Sequence, residues 1–204
     1  MPKLADRDTR HTQILEALLR VAGSQGLHAV TMRSVAAEAN ISLRLVQYYF
    51  ETKEKLLLAA LDHLAGRQRE RIQTRVRDTD APDDPRTIIE AVLTESLPTD
   101  QDSRTFHLVY TAYAVHAATD PALAAQPFLR APDTMEHFLA DQLRHAQRDG
   151  TLPPHRDAHT EAAILLALSA GLGTAVLLGQ RTAENATTAI SYHLDHLGLT
   201  RRPA

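Results

Sequence analysis

The chain contains no cysteine. Disulfides, thiolate metal sites and a cysteine nucleophile are therefore excluded. Catalytic signatures are missing too: there is no HExxH, no GxSxG and no GxxxxGKS/T phosphate loop. The Gly171-Leu172-Gly173 stretch lies inside an apolar helical pattern and is no phosphate loop. An enzyme is not expected. The opening residues, MPKLADRDTRHTQ, lack the apolar core of a signal peptide, so a cytoplasmic protein is expected. Lysine is scarce, three against nineteen arginines, which reads as coding bias and not as chemistry. Eleven histidines raise the question of a metal. His155 and His159 flank Asp157, and His193 and His196 are three apart. However, Pro153-Pro154 places His155 ahead of its helix, and a third ligand is missing from the pattern. No metal and no cofactor is assigned.

At 204 residues the chain is long enough for one large domain or two small ones. Its 44% apolar and 23% charged residues are ordinary for a soluble globular protein. Charge is unevenly spread. Residues 1–55 carry a net +2 and the remainder −5. A mildly basic head on an acidic body suits nucleic-acid binding by one end.

The most informative stretch is residues 31–57, TMRSVAAEANISLRLVQYYFETKEKLL. Thr31 is a candidate N-cap, and Val35, Ala36 and Ala39 form the apolar stripe of a short helix. Asn40 tolerates the left-handed backbone that ends a helix. Ser42 can cap a second helix, Leu43–Phe50, anchored inward by Val46 and Phe50 at i, i+4. This is helix-turn-helix spacing, in which the second helix is offered to the DNA major groove. It would present Arg44, Gln47 and Tyr48, with Arg44 able to pair bidentately with guanine. Arg33 opens the first of the two helices and could reach phosphate or base.

The pattern I-S-x-x-x-V-x-Y-Y-F-x-T-K-E-K-L-L resembles the end of the DNA-binding domain of TetR/AcrR-family repressors. Ile14–Ala22, Gly26 and Thr31-Met32-Arg33 resemble that family's first helix and the lead-in to its second. The resemblance covers roughly residues 10–60. It implies that Tyr49 and Lys53 hold the DNA backbone, which fixes register without reading sequence. Four positions depart from the family's pattern: Asn40 stands for the usual Gly, Arg44 for a small residue, Leu45 for a small or hydroxyl residue, and Gln47 for Tyr. The candidate DNA-contacting set is Thr31, Arg33, Ser42, Leu43, Arg44, Gln47, Tyr48, Tyr49 and Lys53.

Periodicity predicts an all-α chain of about nine helices. The first runs over about Thr9–Ser24, with Ile14, Leu15, Leu18, Leu19 and Ala22 as its stripe. Residues 1–9 are read as mobile, either a solvated tail or an arm whose Arg7 and Arg10 reach DNA. A helix from Thr52 links head to body until the break at Asp78–Pro85. Further helices are expected at about 86–96, 101–118, 132–148, 158–178 and 183–197, with interruptions at Asp120-Pro121, Pro127 and Pro132. The expected division is residues 1–56, a helix-turn-helix DNA-binding domain, and residues 57–204, an effector-binding and dimerisation domain.

Phe106, His107, Tyr110 and Tyr113, with Met135 and Phe138, could line a mostly apolar ligand pocket or simply pack the core. Ala162–Gly179 is eighteen residues without a charge, close to a membrane span in length. Its Gly, Ser and Thr content and lack of a basic flank point instead to a helix covered by a second subunit. Ala167, Ala170, Gly171, Thr174 and Ala175, with Tyr192 and Leu194 of the last helix, form the candidate dimer interface. The body also resembles the BetI-type subgroup in the Leu/Ala-rich helix after Gly150-Thr151-Leu152-Pro153, which names no effector. The reading is a homodimeric repressor of double-stranded DNA that binds a palindromic operator and is released by a small molecule, with no membrane partner. The alternative is a helical adaptor whose helix-turn-helix docks protein.

Overall fold

The computed structural model describes residues 2–118 and 131–201, with side chains outside 2–6, 113, 116, 131 and 132. Among the described residues there are nine α-helices, one 3-10 turn and no strand. The helices are α1 (Pro2–Gln25), α2 (Met32–Glu38), α3 (Leu43–Phe50), α4 (Lys53–Arg77), α5 (Pro85–Glu95), α6 (Gln101–Ala117), α7 (Ala131–Arg148), α8 (Ala158–Leu177) and α9 (Ala183–His196). The interruptions expected at Asp120-Pro121 and Pro127 lie outside the described residues.

The first helix is longer than the sequence pattern suggests. It continues back to Pro2, so residues 2–9 are helical and not the loose arm that was expected. Proline is tolerated there because a first-turn N–H has no acceptor within the helix.

Two apolar clusters hold the chain. The head cluster joins Ile14, Leu18 and Val21 of α1, Val35 and Ala36 of α2, and Val46 and Phe50 of α3. It runs past residue 56 to take in Leu57, Ala60, Leu61 and Leu64 of α4 and Val109 of α6. Apolar side chains repeat along the first half of α4 with helical spacing, so that half packs into the head. The body cluster joins Ile89 and Leu93 of α5, Leu139 and Leu143 of α7, Leu165 and Leu172 of α8, and Ile190 and Leu194 of α9. Leu194, expected at a dimer surface, is fully buried in this intramolecular core, because it lies on the face of α9 turned to the body. The buried Arg86 ties α5 to the chain end, its Nη1 donating to the Leu199 carbonyl and pairing with Asp195 Oδ1 at 2.6 Å.

The second half of α4 is held differently. Arg67 bridges Glu16 of α1 (3.2 Å) and Asp102 of α6 (2.6 Å). One turn on, Arg71 pairs with Glu95 of α5 at 3.1 Å, and Arg75 reaches the same carboxylate at 2.7 Å. His63 joins from the head side, 3.0 Å from Glu16. At 25 residues, α4 is about 37 Å long, greasy at the head end and ionic beyond it.

α8 has the length and apolarity of a membrane span, yet only 28% of its apolar window is buried within the chain. Its outer stripe, Ile164, Ala167, Gly171, Thr174 and Leu178, is exposed and free of charge. On the inner side, Ser169 Oγ donates to the Leu93 carbonyl at 3.1 Å. Gly173 lies so close to α6 that an added Cβ would stand 2.6 Å from His107 Cε1.

Candidate nucleic-acid interface

Side-chain caps fix the ends of the two short helices. Thr31 and Ser34 form a capping box, each backbone N–H donating to the other's hydroxyl at 2.9 Å. Gln13 Nε2 of α1 donates to the Ala39 carbonyl at 3.0 Å, pinning the end of α2. Asn40 then takes φ 53°, the left-handed conformation that Asn reaches more readily than most residues. Ser42 Oγ accepts from Leu45 N at 3.2 Å and starts α3. Val46 and Phe50 are buried at 0% and 4% exposure, so the opposite face of α3 must point outward. That face carries Arg44, Gln47 and Tyr48, and Tyr48 is 71% exposed. Leu43 is half-buried against the head core, and Tyr49 is half-buried, edge-on to Tyr48 at 5.5 Å.

The turn after α3 is tight. Glu51 has φ 57° and ψ −57°, and Thr52 N donates back to the Phe50 carbonyl. This is a γ-turn of the rare, strained hand. Thr52 Oγ1 then accepts from Lys55 N at 3.2 Å, which caps α4 and places Lys53 in its first turn.

Electrostatics sort the head's cations into two sets. Arg20 is neutralised by Glu38 at 2.6 Å, and Lys55 by Glu51 at 2.7 Å. Arg33, Arg44 and Lys53 have no acidic partner among the described residues. Such cations are solvated and screened by mobile ions, which DNA phosphates can replace.

The described ligand-lining candidates divide between the two apolar clusters. Phe106 stacks on Tyr110, rings 5.9 Å apart, and both pack on the head core. His107 Nε2 bonds to the Ser96 carbonyl at the end of α5. Met135 packs on the body core, whereas Phe138 is 40% exposed. The Tyr113 side chain lies outside the described residues. The cavity beside Phe106 and His107, bounded also by Leu64 and Arg71, measures about 10 Å³, room for one water. The groove of about 680 Å³ along α4 is lined by charged residues, among them Arg67, Glu70, Arg71 and Glu95. Desolvation, then the nearby Asp133 carboxylate, raises the Tyr110 phenol above its ordinary pKa.

Sequence reasoning missed the α4 ion ladder and the ring of His11 against Phe50. The ladder's signal was present, since His63, Arg67, Arg71 and Arg75 recur every four residues, but their acidic partners come from three other helices.

Fold and surface together define a helix-turn-helix DNA-binding protein carrying a helical body. Comparison with known proteins specifies it further. Residues 14–60 match the family described as bacterial regulatory proteins, tetR family. Residues 85–199 match the family described as BetI-type transcriptional repressor, C-terminal. The chain belongs to the TetR family of transcriptional regulators, with a body of the BetI type. The transcriptional regulator PksA of Bacillus subtilis is 28% identical over 182 residues, 87% of this chain and 83% of that protein. The regulator BetI of Rhizobium meliloti is 36% identical over 101 residues, 50% of this chain and about half (48%) of that relative. Among solved structures, a TetR transcription regulator of Haloarcula marismortui has a TM-score of 0.78 at 24% identity, covering 93% of this chain and 98% of that one. A Saccharomonospora viridis protein solved in complex with choline gives the same TM-score and identity, covering 93% and 97%. At that identity the likeness is one of fold. These families are transcriptional regulators and not enzymes.

Proposed function

We propose that this TetR-family regulator acts as a homodimeric repressor that binds a palindromic operator in the cytoplasm and leaves it when a small molecule occupies the body. The observation that carries the reading is the outer face of the helix-turn-helix, where Arg33, Arg44 and Lys53 stand without acidic partners beside Gln47 and Tyr48. Residues 1–56 contact DNA. Arg44 reads a guanine in each half-site, Gln47 and Tyr48 lie beside it, and Tyr49 and Lys53 hold phosphates. Thr31 and Ser42 cap the helices and border the same surface, and Leu43 seats the start of α3. Residues 57–204 dimerise and take the effector.

The uncharged outer stripe of α8, with Ala167, Ala170, Gly171, Thr174 and the neighbouring Ala175, supports a second copy as its cover, because small residues let helices approach closely. Tyr192, 70% exposed on α9, extends that surface. Two-fold symmetry then gives two recognition helices for two half-sites one DNA turn apart. Effector release is a population shift, in which the ligand favours a spacing of the heads that does not fit the operator. A tenfold loss of DNA affinity needs about 1.4 kcal/mol of coupling.

Selection of bound sequences from a random duplex library, with the purified protein at two salt concentrations, tests the reading. An enriched palindrome is expected, with binding weakened steeply by salt. Arg44→Ala should relax selection at one base position per half-site, at about 1–3 kcal/mol. An unchanged profile removes Arg44 from the reading surface, and no enrichment at either salt removes direct DNA reading.

A further inference from the structure

The two apolar clusters do not divide the chain where the helix-turn-helix ends, because α6 packs with the head. Its Val109 is buried in the head cluster, and Phe106 and Tyr110 pack against that cluster. Gly23 lets α1 lie close to α6: a Cβ there would collide with Gln101 Nε2 and stand 3.5 Å from Thr105 Oγ1. Arg67 clamps the same two helices together, reaching Glu16 of α1 and Asp102 of α6. The other helices, α5, α7, α8 and α9, share the body cluster.

Among the described residues, the chain passes between these two units at two places. One is α4, whose Leu64 lies in the head cluster and whose Ile72 packs on the body cluster. Residues 65–71, AGRQRER, hold no apolar side chain larger than that of Ala65. Gly66 lies in this stretch, and nothing stands within 4 Å of a Cβ built on it. Close packing therefore does not require a glycine there. A glycine in mid-helix loosens it, because glycine gives up more backbone freedom on folding than any other residue. The other crossing is Pro98-Thr99. It follows Leu97, fully buried in the body cluster, and precedes Asp100, whose carboxylate accepts from Ser103 N at 2.8 Å at the start of α6.

The bonds that span the seam are polar. Gln68 Nε2 donates to the Glu95 carbonyl at 3.0 Å, Arg71 and Arg75 pair with the Glu95 carboxylate, and His107 bonds to the Ser96 carbonyl. His107 also lies against Gly173, a ring on bare backbone. Interdigitated apolar side chains transmit strain and resist sliding, whereas partly exposed ion pairs exchange with water at small cost.

We propose that the chain hinges at Gly66 and at Pro98-Thr99, so that the helix-turn-helix, the first half of α4 and α6 turn as one unit on the body. The proposal rests on the DNA-binding reading for its purpose, since in a dimer such a turn resets the spacing of the two recognition helices. The unit that moves is then larger than the DNA-binding domain by the whole of α6.

The test is double electron–electron resonance on the whole chain, which has no native cysteine to compete for a spin label. Ala37→Cys on α2 is paired either with Thr111→Cys on α6 or with Arg148→Cys on α7, all three positions being exposed. Dilution with unlabelled protein isolates distances within one chain. The head–α6 distance distribution is expected to be narrow and the head–body distribution broad. Gly66→Ala adds a methyl group in open space and should raise Tm. It should also narrow the head–body distribution towards the width of the head–α6 one, which stays as it was. Arg71→Ala should broaden the head–body distribution and again leave the head–α6 one alone. A head–α6 distribution as broad as the head–body one would overturn the proposal, as would a head–body width that neither variant changes. These distances are read without DNA, so their failure leaves duplex binding intact, whereas absence of duplex binding in the unlabelled protein would be the failure of the DNA-binding reading.

Discussion

Replacing Gly173 by Ala tests how closely α8 packs on α6. A Cβ at 173 would stand 2.6 Å from His107 Cε1 and 3.1 Å from Nε2. Carbon atoms rest at about 3.5–4.0 Å, so the ring must retreat by roughly 1 Å. A free side-chain end would do so cheaply. This ring is not free, because Nε2 bonds to the Ser96 carbonyl at the end of α5. Either that bond breaks or α6 shifts, and α6 carries Val109 into the head core. Overpacking costs about 1–3 kcal/mol. Leaving a buried polar group unpaired costs a similar amount. Against these stands a gain of about 1 kcal/mol for Ala over Gly within a helix. Gly173→Ala should therefore destabilise by roughly 1–5 kcal/mol, lowering Tm by several degrees in a chain of this size. The assay is thermal or urea unfolding at fixed protomer concentration, run with His107→Ala and the double variant. With the ring removed, Gly173→Ala should be neutral or stabilising, which gives a coupling of at least about 1 kcal/mol. Equal destabilisation in both backgrounds, or a single variant more stable than the parent, would refute the close-approach argument.

Other perturbations have equally defined outcomes. Ala170→Trp places a large side chain on the exposed stripe of α8; sedimentation at micromolar concentration should show monomer, and a persistent dimer moves the interface elsewhere. Arg71→Ala and Glu95→Ala should be non-additive, with an unfolding coupling of about 0.5–2 kcal/mol because the two side chains pair directly at 3.1 Å; additivity would show that this pair has no coupling energy. Asp157 caps α8, and hydrogen bonds from Thr160, side chain then backbone, hold its carboxyl below the ordinary pKa. A depressed folded-state pKa contributes stability above the unfolded value, near 4, that is lost as pH falls through the folded one. Asp157→Asn should therefore flatten the acid limb of the stability curve below about pH 4, and an unchanged limb would locate that loss in other carboxylates.

The head was legible from sequence because local chemistry sets it. Thr31, Ser42 and Thr52 cap by hydrogen bonds to residues three ahead, Asn40 accepts positive φ, and the apolar spacing of α1 to α3 leaves one way to bury Val46 and Phe50. Such interactions span a few residues and leave their mark in short patterns. The body's helices were legible for the same reason, with boundaries close to those observed. Which face of a body helix meets which neighbour was not. Leu194 and Tyr192 are two residues apart, and only the packing of α9 decided that the first is core and the second exposed. Phe106 and Tyr110 share a helix with His107, yet they join the head while His107 is taken by the end of α5. The ladder along α4 depends on acids from α1, α5 and α6, whose placement follows from how three helices pack. The rearward extension of α1 likewise escaped periodicity, because residues 2–8, PKLADRD, carry no apolar repeat at helical spacing. Residue type and spacing thus determined the helices and the outward face of the helix-turn-helix, whereas the long-range juxtapositions that join head to body were decided by tertiary packing.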